Sequence, residues 1–130
     1  MKIQGKMIVG LTLSLFAAGA AMGGNRTVLA NVAIDDAIRF AYGNFADARG
    51  SADSRQMIGC YYNASLGYCT ATNAAGTSRT CTTTNAALLD VIRTLTSDSY
   101  VYFQWNTDGT CSYVLVENSS RYKPAATSGT

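Results

Sequence analysis

No histidine occurs among the 130 residues. The chain therefore lacks the side chain whose ordinary pKa lies near neutrality, and with it the Ser-His-Asp and Cys-His arrangements of nucleophilic catalysis. Acids are also scarce. Glu117 is the single glutamate, and Asp90, Asp98, Asp108 and Glu117 are the only acids beyond residue 60. A glycosidase needs two carboxylates facing each other across a cleft. These four read otherwise: Asp90 as a solvated helix position, Asp98 as a loop residue, Asp108 as a turn former, Glu117 at a strand end. Charged residues make up 14% of the chain, without the clustered Lys and Arg that nucleic acid demands. There is no CxxC pair, no Gly-rich phosphate loop and no EF-hand loop, so the expectation is no metal and no cofactor.

What is present points out of the cell. Lys2 and Lys6 precede the apolar, small-residue stretch "MIVGLTLSLFAAGAAMGG", the pattern of a secretory signal over residues 1–23. Cleavage after Ala20, Gly23 or Ala30 fits the small residues there. Removal favours a mature form with no membrane span. Losing the two lysines takes the formal charge from +2 to 0 (2 − 2). The four cysteines, Cys60, Cys69, Cys81 and Cys111, all follow the signal. An even set in an exported chain is expected to form disulfides. Secretion, or residence in a periplasm or at a cell surface, is the expected location.

Periodicity predicts an α+β fold over residues 31–118. Asn31 suits a helix cap, Asp35 and Asp36 suit a first turn, and Ile34, Ile38, Ala41 and Phe45 form one stripe at helical spacing. "RGSADSR", 49–55, reads as a loop. "MIGCYYN", "GYCTATN" and "TSRTCTTT" read as a three-stranded antiparallel meander, and "NAALLDVIRTL", 85–95, as a crossover helix with the stripe Leu88, Val91, Ile92 and Leu95. Thr84 or Asn85 is its N-cap. "SYVYFQW" and "CSYVLVEN" flank Asp108-Gly109 as a C-terminal hairpin that completes the sheet. The expected order is N-terminal helix, meander, crossover helix and hairpin, followed by a flexible tail over 119–130.

The meander's register can be set on paper, because side chains alternate faces. A turn centred on Ala75 places Cys69 opposite Cys81, Thr70 opposite Thr80 and Thr72 opposite Ser78. A turn between Ala64 and Ser65 places Cys60 opposite Cys69. The outer two of three aligned cysteines then lie about 10 Å apart, beyond the roughly 7 Å that a disulfide spans. Cys60–Cys81 is excluded, and Cys69–Cys111 with it. Either Cys60–Cys69 with Cys81–Cys111, the preferred set, or Cys69–Cys81 with Cys60–Cys111 remains. Ile58, Tyr62 and Ala71 share the cysteine face, and Tyr68, Thr70, Thr72, Ser78, Thr80 and Thr82 share the other.

That second face, with Tyr61 beside it, is the candidate binding surface. Exposed strands favour Thr for its β-branching and its cross-strand hydrogen bonds, while hydroxyls beside aromatic rings also suit a sugar or another polymer. A non-enzymatic extracellular domain that binds or assembles on a polymer or protein is therefore the leading reading. A disulfide-stapled inhibitor or toxin is the alternative, with Arg79 as a loop anchor. A hydrolase built on carboxylates alone is the third. Tyr100, Tyr102, Phe103, Trp105 and Tyr113 form an aromatic group read as core and cross-strand packing, with Trp105 at its exposed end. Asn-X-Ser/Thr triplets stand at Asn25, Asn63 and Asn118, of consequence where the export route glycosylates.

Overall fold

A computed structural model of the chain describes residues 24–122 and 124. The signal expected over 1–23 lies outside the described residues. The fold is α+β with antiparallel sheets. In chain order the elements are strands β1 (Ala33–Asp35) and β2 (Phe40–Asn44), helix α1 (Phe45–Arg49), strands β3 (Met57–Tyr62), β4 (Gly67–Thr72) and β5 (Ser78–Thr83), helix α2 (Ala86–Ile92), strands β6 (Tyr100–Trp105) and β7 (Cys111–Glu117), and a 3-10 turn at Ser120–Tyr122.

The N-terminal helix expected from Val32 is not formed. Residues 33–44 make a β-hairpin instead, with Ala33 opposite Tyr42 and Asp35 opposite Phe40. Asp35 does not serve a helix turn. Its Oδ1 accepts from the backbone N–H groups of Ala37 and Ile38 at 2.9 and 3.1 Å, an Asx-type turn that competes with helix. Arg39 then takes a left-handed φ of 55°, which ends any right-handed helix there. Its strain is offset on both sides of the peptide. Arg39 Nε donates to the Trp105 carbonyl at 3.2 Å, and the Arg39 carbonyl accepts from Trp105 N–H at 3.1 Å. Ile38, a member of the expected stripe, is 67% exposed.

A second difference follows from the first. Because β2 exists, β6 pairs with it along all five residues, Phe40 opposite Gln104 through Asn44 opposite Tyr100. The C-terminal hairpin therefore does not extend the meander. Two sheets form, one ordered β1-β2-β6-β7 and the other β3-β4-β5. They meet at one end, where Thr82 and Thr110 form an isolated parallel bridge and Thr82 N–H donates to the Gly109 carbonyl at 3.0 Å.

The meander has the register set by its turns: Cys60 opposite Cys69, Cys69 opposite Cys81, Thr70 opposite Thr80 and Thr72 opposite Ser78. The disulfides are Cys60–Cys69, within the first hairpin, and Cys81–Cys111, from the meander to the other sheet. The core lies between the sheets. Phe103, Val101 and Ile92 are fully buried together with Cys69, Cys81, Ala41 and Ala71. Helix α2 starts at the Asn85 cap, whose side chain accepts from Ala87 and Leu88 N–H. It ends at Ile92, short of the expected 85–95 span, and buries Leu89 and Ile92; Leu88 and Val91, and Leu95 beyond its end, pack at the core's margin. The helix comes so close to β4 that a Cβ on Gly67 would lie 2.8 Å from Leu89 Cδ2.

Ordered structure continues past residue 118. Tyr122 is buried, its ring stacked on Tyr100 with centroids 5.0 Å apart, so the packed chain extends into the first part of the tail expected to be flexible. Apart from Pro124, residues beyond Tyr122 lie outside the described residues.

Candidate functional site

The outer face of the meander holds the residues that register alone brings together: Tyr61, Tyr68, Thr70, Thr72, Ser78, Thr80 and Thr82. The Tyr61 and Tyr68 rings stack with centroids 5.2 Å apart. The hydroxyls bond one another across the ladder. Thr72 Oγ1 and Ser78 Oγ are 2.7 Å apart, and Thr80 Oγ1 donates to Thr70 Oγ1 at 2.9 Å. These pairs give the face its own hydrogen bonding and contribute to sheet stability.

Arg79 is committed within the molecule. Nε and Nη2 donate to the two oxygens of Asp36 at 2.7 and 2.6 Å, and Nη1 donates to the Ser78 carbonyl at 2.7 Å. Donation from Arg79 holds the Asp36 carboxyl below the usual carboxylate range. The forked pair fits the guanidinium's planar geometry. It ties the β1–β2 turn to the edge of the meander, where Arg79 stands in strand β5 rather than in a loop and its guanidinium is engaged within the molecule.

A second surface lies on the outside of the four-stranded sheet. Phe40 and Tyr42 from β2, Tyr100 and Tyr102 from β6, and Tyr113 and Leu115 from β7 alternate with the inward Ala41, Gly43, Val101, Phe103 and Val114. The rings form a connected array. Centroid separations are 5.6 Å for Phe40–Tyr102, 6.4 Å for Tyr42–Tyr102, 6.2 Å for Tyr42–Tyr100 and 6.0 Å for Tyr102–Tyr113. Gln104 adds an amide, donating to the Tyr102 hydroxyl at 2.6 Å. Tyr113 is 45% exposed, Leu115 is exposed, and Phe40, Tyr42, Tyr100 and Tyr102 are half-buried. Charged groups on these strands sit at the margins: Asp35 on β1, and Glu117, which pairs with Arg121 at 3.1 Å. Burial is the chief reason that the Tyr100 hydroxyl is pushed up to about 12, with Tyr122, Tyr42, Tyr102 and Glu117 adding to it.

The aromatic group read from the sequence is thus divided. Phe103 and the half-buried Trp105 belong to the core side, while Tyr100, Tyr102 and Tyr113 face outward. Sequence reasoning misses Phe40 and Tyr42 as their partners, because the stripe Ile34, Ile38, Ala41 and Phe45 predicts a helix through both. The signal that could have found them was the alternation of large and small residues in "FAYGN".

The acids do not converge. Asp90 pairs with Arg93 at 2.9 Å, Asp98 with Arg49 at 2.8 Å and Glu117 with Arg121. Asp108 accepts from the Thr110 hydroxyl and N–H at 2.6 and 2.9 Å, which holds it below the usual carboxylate range. A cleft between β5 and the hairpin turn is lined by Leu66, Thr82, Thr83, Thr84, Asn85 and Thr110 and carries no ionisable group. Among the described residues, no three His, Cys, Asp or Glu side chains are grouped so as to hold a metal ion, and no helix is long and apolar enough to cross a membrane. Comparison with protein-family models, with curated proteins and with solved structures finds no significant match.

Proposed function

We propose that the chain is an exported, non-enzymatic binding or surface-assembly domain, and that it holds an uncharged, hydroxyl-rich polymer on the outer face of the β1-β2-β6-β7 sheet. The observation that carries this reading is the connected array of Phe40, Tyr42, Tyr100, Tyr102 and Tyr113 across three neighbouring strands. Aromatic rings offer apolar faces to the C–H side of a sugar, and tyrosine hydroxyls offer polar edges to its hydroxyls. Charge at the margins alone suits a neutral ligand better than a polyanion. The Cys81–Cys111 bond fixes this sheet to the meander, so the array is presented by a rigid frame rather than by loops.

Sedimentation with insoluble polysaccharides such as cellulose, chitin and β-glucan, and with whole cells, tests the reading. The protein is expected to sediment with at least one polymer. Tyr102→Ala or Tyr113→Ala should weaken that binding roughly two- to tenfold, as loss of about 0.5–1.5 kcal/mol implies. Thr70→Ala with Thr80→Ala should leave it unchanged. Protein that stays in every supernatant overturns the proposal.

A further inference from the structure

The Asn-X-Ser/Thr triplets at Asn63 and Asn118 are placed very differently by the fold. Asn118 Nδ2 donates to the Thr94 carbonyl at 2.7 Å, and its Oδ1 accepts from the hydroxyls of Ser99 and Thr96. That amide is part of the brace between the end of α2 and β7. Asn63 lies in the β3–β4 turn. Its Oδ1 accepts from Ser65 and Leu66 N–H at 2.9 Å each, and its backbone N–H donates to the Leu66 carbonyl at 2.8 Å. None of these bonds uses Nδ2, which has no hydrogen-bond partner among the described residues, and Asn63, Ala64 and Ser65 are all exposed.

The surroundings of Asn63 add a second observation. Tyr61, Tyr62, Leu66 and Tyr68 are among the exposed large hydrophobic residues, at 50%, 43%, 39% and 36%, so the tip of one hairpin concentrates uncovered apolar surface. Tyr61 stands two residues before Asn63 and stacks on Tyr68. A sugar tethered at Asn63 meets these rings at high effective concentration and can lay its C–H face against them.

We propose that Asn63 carries an N-linked glycan whose first sugar packs on the exposed tyrosines of this hairpin tip. The donor is a lipid-diphosphate-linked oligosaccharide of the export route. Asn63 Nδ2 loses one proton and bonds to the anomeric carbon of the reducing-end sugar, and the lipid diphosphate leaves. Ser65 supplies the hydroxyl that the triplet requires. The glycan covers the outer face of the meander at that end and leaves the aromatic face of the other sheet open. The inference rests on the export reading but not on the identity of the polymer.

The test is secretion of the full chain from a eukaryotic host that N-glycosylates, followed by peptide mapping before and after enzymatic removal of N-glycans in heavy-oxygen water. The expected result is Asn-to-Asp conversion, with its isotope label, in the peptide between Arg55 and Arg79. Ser65→Ala should abolish it while keeping the turn bonds of Asn63, and Asn118→Gln should leave it unchanged. Thermal unfolding is a further readout. The glycosylated protein should melt higher than its deglycosylated form, and Tyr61→Ala should shrink that gap. Secreted protein with an unmodified Asn63 overturns the glycan alone. A chain retained inside the cell overturns the export reading and this inference together. A melting difference unmoved by Tyr61→Ala overturns the packing.

Discussion

At the scale of single residues, Tyr100 and Gly67 report on the aromatic face and on the docking of α2. Tyr100 lies between Tyr42, Tyr102 and Tyr122 on the aromatic face, and burial raises its hydroxyl to about 12, above the ordinary value near 10. An acid whose folded value is raised stabilises the fold fully below the unfolded value and loses that contribution as pH rises towards the folded one. Stability should therefore decline between about pH 10 and 12. In an ultraviolet titration Tyr100 should ionise last, and Tyr100→Phe should remove the highest step. Gly67 reports on helix docking. A methyl group there would meet Leu89 Cδ2 at 2.8 Å and Ile92 Cδ1 at 3.2 Å, so Gly67→Ala should cost about 1–3 kcal/mol through overpacking. Urea unfolding at constant slope measures it. An unchanged midpoint would mean that α2 shifts away at no cost.

At the scale of elements, α2 depends on its start. Asn85 satisfies two N–H groups of the first turn, and Asn85→Ala should destabilise the protein by about 1 kcal/mol, with Asn85→Ser largely restoring it. This element was legible because Asn-Ala-Ala-Leu-Leu joins a cap to an apolar stripe. The meander was legible for a stronger reason. One pair of turns brings three cysteines and the Thr rows into step, and that alignment leaves two possible connectivities, one of them observed. Strand β2 hides itself. It turns its small residues, Ala41 and Gly43, to the core and its large rings outward. The usual alternation is inverted in size, while Ile34, Ile38, Ala41 and Phe45 imitate a helical stripe. The burial of Gly43 has a cause that only the fold reveals: a Cβ there would stand 3.1 Å from Val32 Cγ2 and 3.4 Å from Ile58 Cγ2. With β2 unread, its pairing to β6, the separation into two sheets and the aromatic face were unread too.

At the scale of the whole molecule, covalent links supply stability that a small core supplies sparingly. Cys81–Cys111 closes 30 residues, worth about 3–4 kcal/mol in the chain-entropy model, and Cys60–Cys69 closes 9, worth about 2–3 kcal/mol. Against a net stability of about 5–15 kcal/mol, replacing Cys81 and Cys111 together by Ala should lower the denaturant midpoint more than replacing Cys60 and Cys69. The reverse order would show that strain or residual structure outweighs loop length. The two bonds also follow one another along the chain without overlapping. A protease cut inside either loop leaves its products joined by sulfur. A cut in the tight turn at Asn73–Thr77, where Ala75 and Gly76 stand exposed, does not: it severs the molecule into two separately cross-linked halves, one bearing Asn63 and the other most of the aromatic face. That short turn is the part between β4 and β5 of the Cys69–Cys81 segment, where a single broken peptide bond parts the hairpin tip from β6 and β7.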